Sequence, residues 1–334
     1  ENKENCYFLD WEENCQIKLN VSISEQKLGG TRTNTAYSQI CDITSLIIKE
    51  EKVVSKCLKP LIFNFSNVIH ELFKNKQLNK NIFVLYQNSN EEEKIILLVF
   101  FTLVCLIDTN LICQDILSEI KENLLTSPTK NTNNNFQSVA LFFLGIYAQQ
   151  TSKTQNIEVS KLLANIEFDH LNYWVIEFLG RSIIATKDNN NTIIKKFIEI
   201  INTPELYNSV VLRRKIFWEL HRIIKDTPYL SYMFINVLED GLQDSNPDVK
   251  LLAILCFGLA NRIYPLITKQ LDSVFRLLKD EEDDVRETAV TVIGKLCNYE
   301  YVIKNKEKIF PLLKDSNYHV RKAAKQTNKI INLL

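Results

Sequence analysis

The chain has 334 residues, 46% of them apolar and 24% charged, with 40 basic side chains balanced by 40 acidic ones. That apolar content can bury a large surface. The balanced charge excludes a global field of the kind that draws nucleic acid or anionic membrane to a whole domain, leaving only local patches. Eight cysteines occur without any Cys-x-x-Cys pair and with no His at zinc-ligand spacing, so reduced, buried thiols in the cytoplasm, with the nucleus as second compartment, are the expectation.

Residues 1–45 share no pattern with the rest of the chain. Ile17, Leu19, Val21 and Ile23 alternate with polar residues, which predicts a short strand, and Gly29-Gly30-Thr31 predicts a turn. The chain opens at Glu1 without a Met, which points to a true N-terminus upstream. From residue 46 onward apolar residues recur at helical spacing. Two short helices are expected between Ile43 and Phe73, broken near Pro60, and a hairpin from Ile82–Tyr86 and Glu91–Ile107. The stretch Ile95–Ile107 is apolar except for Thr102, but its thirteen residues are too few to cross a bilayer, so a buried helix is predicted.

Farther along, Ser127–Asn135 and Lys187–Asn191 read as polar loops between helices. Turns elsewhere are short, as at Asn202-Thr-Pro204 and Asp226-Thr-Pro228, where Pro suits the first turn of a following helix. The clearest pattern lies in 242–334. Asp244, Asp280 and Asp315 recur, each followed five residues later by Val249, Val285 or Val320, and then by Ala253, Ala289 or Ala324. The Asp closes a turn, Val, Ala and the residue eight after Val form one apolar stripe, and the small Ala lets two helices approach.

The same phase extends backwards through Leu212, Leu171 and Phe136. Together with Val249, Val285 and Val320 these starting positions are 35, 41, 37, 36 and 35 residues apart. Four of the seven glycines, Gly145, Gly180, Gly258 and Gly294, fall nine residues after the start of a unit. Each such glycine costs a helix about 1 kcal/mol relative to Ala, so packing must offset it. Recurrence at this period predicts stacked helical hairpins. In the last copy Thr327 and Asn328 stand where earlier copies are apolar, which predicts a polar cap.

The Asp turn, the Val-Arg start at Val285-Arg286 and Val320-Arg321, and the later Ala and Gly resemble the HEAT-repeat (armadillo-like) family. Lys250 departs conservatively from the Arg of that pattern. The resemblance implies an all-α, right-handed α-α superhelix of about six to eight helical hairpins over 46–334, acting as a non-enzymatic protein-binding scaffold or adaptor. A narrower resemblance rests on Leu171-Asn-Tyr-Trp174-Val175 with Leu179-Gly180-Arg181, on Leu98-Val99-Phe100 with Asp108 and Cys113-Gln114, and on Ala140–Leu144. These are similar to the HEAT region of the Raptor family, the scaffold subunits of target-of-rapamycin kinase complexes, which implies presentation of substrates and regulators to a kinase. The alternative is a nucleic-acid- or chromosome-associated HEAT subunit.

Catalytic signatures do not emerge. The sequence holds no Gly-rich phosphate loop, no Ser nucleophile elbow and no His-Glu-x-x-His. The di-iron HEAT hydroxylase type needs several His-Glu pairs, and only His70-Glu71 is present. The acidic run Asp280–Asp284 lacks a Gly-containing ligand loop and reads as charge favoured at a helix N-terminus. No cofactor or metal is expected. The candidate partner-binding residues are Arg214, Trp218 and Arg222, spaced by four along a face away from the stripe, and Lys322, Lys325 and Lys329, a basic ridge on the last helix. From Tyr299 onward eight basic residues face three acidic ones, and the chromosome-associated alternative would use this ridge.

Overall fold

In a computed structural model the described residues are 76–126, 134–151, 172–186, 191–203, 208–261, 263, 268–296 and 300–333. The expected strand near residue 20, the two helices between Ile43 and Phe73, His70-Glu71 and most of both polar loops lie outside them. Among the described residues every regular element is helical. The chain divides into two compact units, residues 1–119 and 120–334.

In the first unit α1 (Lys76–Asn88) and α2 (Glu91–Ile107) form the expected hairpin. Asn90 caps α2 by accepting from the Glu93 N–H, while the Glu93 carboxylate accepts from the Asn90 N–H, so two orphan donors are satisfied reciprocally. The apolar run of α2 is buried through Leu98, Phe101 and Val104, all fully inaccessible. Thr102, the one polar residue in it, is satisfied by donating to the Leu98 carbonyl. No described helix is long and apolar enough to cross a membrane. Helix α3 (Gln114–Thr126) runs across the division between the units.

The second unit is a two-layered stack. Its inner layer consists of α4 (Asn134–Thr151), α5 (Asn172–Thr186), α7 (Val210–Asp226), α9 (Pro247–Ala260), α11 (Asp283–Lys295) and α13 (Tyr318–Asn332), each packed on the next in chain order. These are the six helices whose starts the sequence period marks. The outer layer is more broken: α6 (Asn191–Ile201) packs on α5, and α8 (Ile235–Gly241), preceded by a 3-10 turn at Pro228–Phe234, packs on α9. The segment α10 (Thr268–Arg276), with its 3-10 extension Leu277–Lys279, packs on α11. A long 3-10 segment, Lys306–Lys314, comes after the short α12 (Glu300–Lys304) and packs on α13.

The stripe forms the core of the stack. Val249, Ala253 and Phe257 on α9, Val285, Ala289 and Ile293 on α11, and Val320 and Ala324 on α13 are all fully buried. Full burial of each Val, Ile or Phe contributes about 1.5–3 kcal/mol. Gly258 and Gly294 bring the helices close. A Cβ on Gly258 would lie 3.3 Å from the Val292 methyls, and one on Gly294 would lie 2.7 Å from Thr327 Oγ1. Thr327 therefore departs from the expected cap: it is buried against Gly294 and donates to the Val290 carbonyl at 2.9 Å. The hydroxyl is short enough to enter the gap and finds its acceptor inside it.

Candidate docking surfaces of the stack

Helix starts are built from the turn outward. Asp244 Oδ1 accepts from the Asn246 N–H at 2.7 Å, Asp280 Oδ1 from Glu282 at 3.1 Å, and Asp315 Oδ1 from Asn317 at 2.9 Å. The recurrent Asp thus holds the turn, and the residue two later stands at the helix cap. Asn246 caps α9 by accepting from Val249, and Asn317 caps α13 by accepting from His319 and Val320.

The second carboxylate oxygen of each Asp faces the preceding unit. Arg213 on α7 forks onto Asp244 at 2.7 and 3.2 Å, Lys250 on α9 reaches Asp280 at 2.6 Å, and Arg286 on α11 forks onto Asp315 at 2.8 and 3.0 Å. The residue after each stripe start and the Asp of the next turn therefore form one rung of a ladder, the partners 31, 30 and 29 residues apart. Hydrogen bonds from Arg286 hold the Asp315 carboxyl below its ordinary range, and the same bonds raise Arg286. Asp280 is thereby an ion-pair partner, and Asp283 of the same acidic run accepts from the Asn317 side chain.

A different polar cluster joins α4, α5 and α7. Lys215 donates to Glu177 at 2.5 Å and pairs with Glu219 at 2.9 Å, while Arg181 reaches both Glu177 and Gln149. Arg222 donates to Glu219 at 2.8 Å and to Gln149 at 3.2 Å. Glu219 is fully buried, and Lys215 and Glu177 nearly so. Burial pushes the Glu177 carboxyl up, but Lys215 and Arg181 more than reverse it, so the net shift is downward. For Lys215 burial acts downward and Glu219 and Glu177 overcome it, so the net shift is upward. Both groups stay ionised because each charge has a partner.

The six residues singled out from sequence fall in two places. Arg222 turns into the stack, joined to Glu219 and Gln149, instead of lying along an outward face. Arg214 is half-exposed and pairs with Asp248 of the next unit at 2.9 Å. Trp218 is half-buried, with its ring 6.3 Å from that of His221. The structure therefore does not bring Arg214, Trp218 and Arg222 together as one open face. Lys322, Lys325 and Lys329 are all exposed on α13. Cys105 and Cys256 are buried and free, and burial raises both thiols well above their ordinary range. No group of side chains suited to a metal ion occurs among the described residues.

Residues 249–332, from the start of the α9 stripe to the end of α13, match the family model of Cnd1, the non-SMC mitotic condensation complex subunit 1. Among curated proteins the chain is similar to the AP-1 complex subunit beta-1 of Mus musculus, Rattus norvegicus and Homo sapiens, 24% identical over 116 residues. That match takes in 35% of this chain and spans only 12% of the relative. Among solved structures it is similar to Kap95p in a structure with RanGDP, with a TM-score of 0.52 and 12% identity over 76% of this chain and 35% of that one. An archaeal HEAT-like repeats protein from Thermococcus onnurineus NA1 aligns with a TM-score of 0.46 and 14% identity over 76% of this chain and 97% of that one. The fold is that of a HEAT-repeat helical solenoid.

Proposed function

We propose that the chain is a non-catalytic scaffold within a chromosome-associated complex, of the kind that the mitotic condensation family describes. The observation that carries this reading is the match over 249–332, which coincides with the ladder turns Asp280 and Asp315 and with the exposed lysines of α13. The AP-1 relatives are likewise named as complex subunits, which supports membership of a larger assembly. The family match favours the chromosome-associated alternative over the Raptor-like one and moves the proposed location from the cytoplasm towards chromosomes, while the AP-1 matches support neither. The ridge Lys322, Lys325 and Lys329 is the proposed contact surface, with Arg214 and Trp218 as a second candidate and Arg222 as an inner support of that region.

The test is imaging of the full-length protein, tagged at its own locus, through division, with fractionation of mitotic chromatin. Enrichment on condensing chromosomes, together with a condensation defect on depletion, is the expected outcome. A protein that stays off chromosomes throughout division, and whose loss leaves condensation unchanged, overturns the reading.

A further inference from the structure

In the middle of the stack two arginines from different helices converge on one neutral acceptor. A Cβ on Gly145 would lie 3.0 Å from Arg181 Cδ, so the absence of a side chain there lets the Arg181 stem cross from α5 over α4. Its guanidinium stands over the Phe142 ring, 5.4 Å from the centroid, and donates to Gln149 Oε1 at 2.6 Å. From α7, Arg222 reaches past α5 and donates to the same oxygen at 3.2 Å.

The charges around that oxygen do not cancel. Arg181, Arg222 and Lys215 share only the Glu177 and Glu219 carboxylates, which leaves a surplus of one positive charge. Those carboxylates lie inward, whereas the Arg181 and Arg222 side chains keep 16% and 19% of their surface open, and Gln149 is half-buried. A carboxylate in place of the amide oxygen would accept the same two bonds with charge assistance, about twice as strong as neutral ones, and would balance the cluster. The place is enclosed within the stack: α4, α5 and α7 pack in succession, and α9 packs on α7 beyond them.

Its surroundings select among anions. Phe142 meets Trp174 edge-on at 5.7 Å on one side, and Trp218 stands one turn before Arg222 on the other, all three half-buried. Aromatic rings so placed take apolar side chains that flank a carboxylate. A nucleic-acid strand fits poorly, because the surplus is a single charge and the neighbouring Arg214 is paired with Asp248. Asp248, Asp284 and Glu287 then follow as neighbouring carboxylates on α9 and α11, which repel a strand of phosphates.

We infer that Arg181 and Arg222 form a seat for an Asp or Glu side chain of a partner protein, carried in an apolar segment that packs on Phe142, Trp174 and Trp218. The Gln149 amide oxygen is the placeholder that this carboxylate displaces. The inference takes up the second candidate surface of the proposed function without its chromosomal setting. A carboxylate held here in an assembly away from chromosomes would refute that function and leave this inference standing.

Removing Arg222 would strip a cation from buried Glu219, so the test variant is Gln149→Glu, which sets an internal carboxylate between the two arginines and leaves their other partners in place. Short random peptides displayed on phage are selected on the purified, nuclease-treated full-length protein, and the enriched ones are synthesised and titrated against both forms. They are expected to carry an Asp or Glu among apolar residues and to bind Gln149→Glu at least about tenfold more weakly. They should lose about as much affinity when that acidic residue is changed to its amide. Gln149→Glu itself should melt about 2 °C or more above the parent. A lower midpoint, enriched peptides without an acidic residue, equal affinity for the two forms, or no enriched peptide overturns the inference. So does a short single-stranded DNA that binds at about 150 mM salt and is lost in Gln149→Glu, which would assign the seat to phosphate.

Discussion

The α4–α5–α7 region and the α9–α11–α13 region share one register but fill it with opposite chemistry. Seven residues after the stripe start, α11 places Val292 against Gly258 and α13 places Thr327 against Gly294, whereas α7 places the Glu219 carboxylate against Gly180. Around Glu219 the middle region then needs Lys215, Arg222, Glu177, Arg181 and Gln149 to satisfy the buried charge. The glycine sets how closely two helices approach, and the facing side chain can be apolar or ionised provided that its partners are present. Stability in the C-terminal region rests on area burial with an ion-pair ladder along one edge. The middle region buries a comparable apolar core but adds a compensated charge cluster, which tolerates loss of the whole set better than loss of one member.

The largest expected effect comes from that asymmetry. Lys215→Ala leaves Glu177 and Glu219 buried without their shared cation and should cost about 3–5 kcal/mol in denaturant unfolding. Adding Glu177→Gln and Glu219→Gln should restore a large part of the loss. If the triple variant is no better than Lys215→Ala, packing rather than charge accounts for the defect.

A smaller effect separates the two glycine contacts. A Cβ on Gly180 would meet the Glu219 carboxylate at 2.5 Å, and that carboxylate is pinned by Lys215 and Arg222, so Gly180→Ala should destabilise by about 1–3 kcal/mol. At Gly258 the Val292 methyls need to yield only slightly and Ala favours the helix by about 1 kcal/mol, so Gly258→Ala should stay within about 1 kcal/mol of the parent. Equal thermal shifts for the two would mean that charge pinning does not distinguish the regions.

How far this contrast is legible in the sequence differs between its halves. The stripe, the glycine period and the Asp turns are all encoded by local spacing, and the six inner helices fall where that spacing places them. The ladder is half visible: each Asp and each Arg or Lys belongs to the pattern, but their pairing joins residues about 30 positions apart through the stack. The middle cluster is not visible at all. Lys215, Glu219 and Arg222 look like the solvated side of an amphipathic helix, and only the presence of Glu177 and Gln149 on neighbouring helices turns them inward. Spacing alone puts Arg222 on an outward face for that reason, and it makes Thr327 a cap because the acceptor of its hydroxyl, the Val290 carbonyl, belongs to another unit.

Smaller still is the expected stability change at Trp218, which is only half-buried. As a proposed contact residue, Trp218→Ala should weaken partner capture about tenfold while moving the thermal midpoint by a few degrees at most. Unfolding of the middle helices instead would make Trp218 part of their packing. The least effect is expected from pH at the last rung. Because the folded Asp315 carboxyl sits below its ordinary range, the rung contributes fully above about pH 4 and fades as pH falls through the lower folded value. Carboxyl chemical shifts should therefore show Asp315 titrating below a free aspartate, and Arg286→Gln should return it towards the ordinary range.

A stack of this kind requires that each unit be held chiefly by its immediate neighbours, and Val285, fully buried on α11, is the place to test it. Val285→Asp buries an unpaired carboxylate at a cost of several kcal/mol, about 2–7. In hydrogen exchange resolved along the chain, residues 242–334 should then open faster, while α4 and α5 keep the protection they have in the parent protein. Uniform loosening from α4 to α13, or none at all, would contradict a stack built unit upon unit.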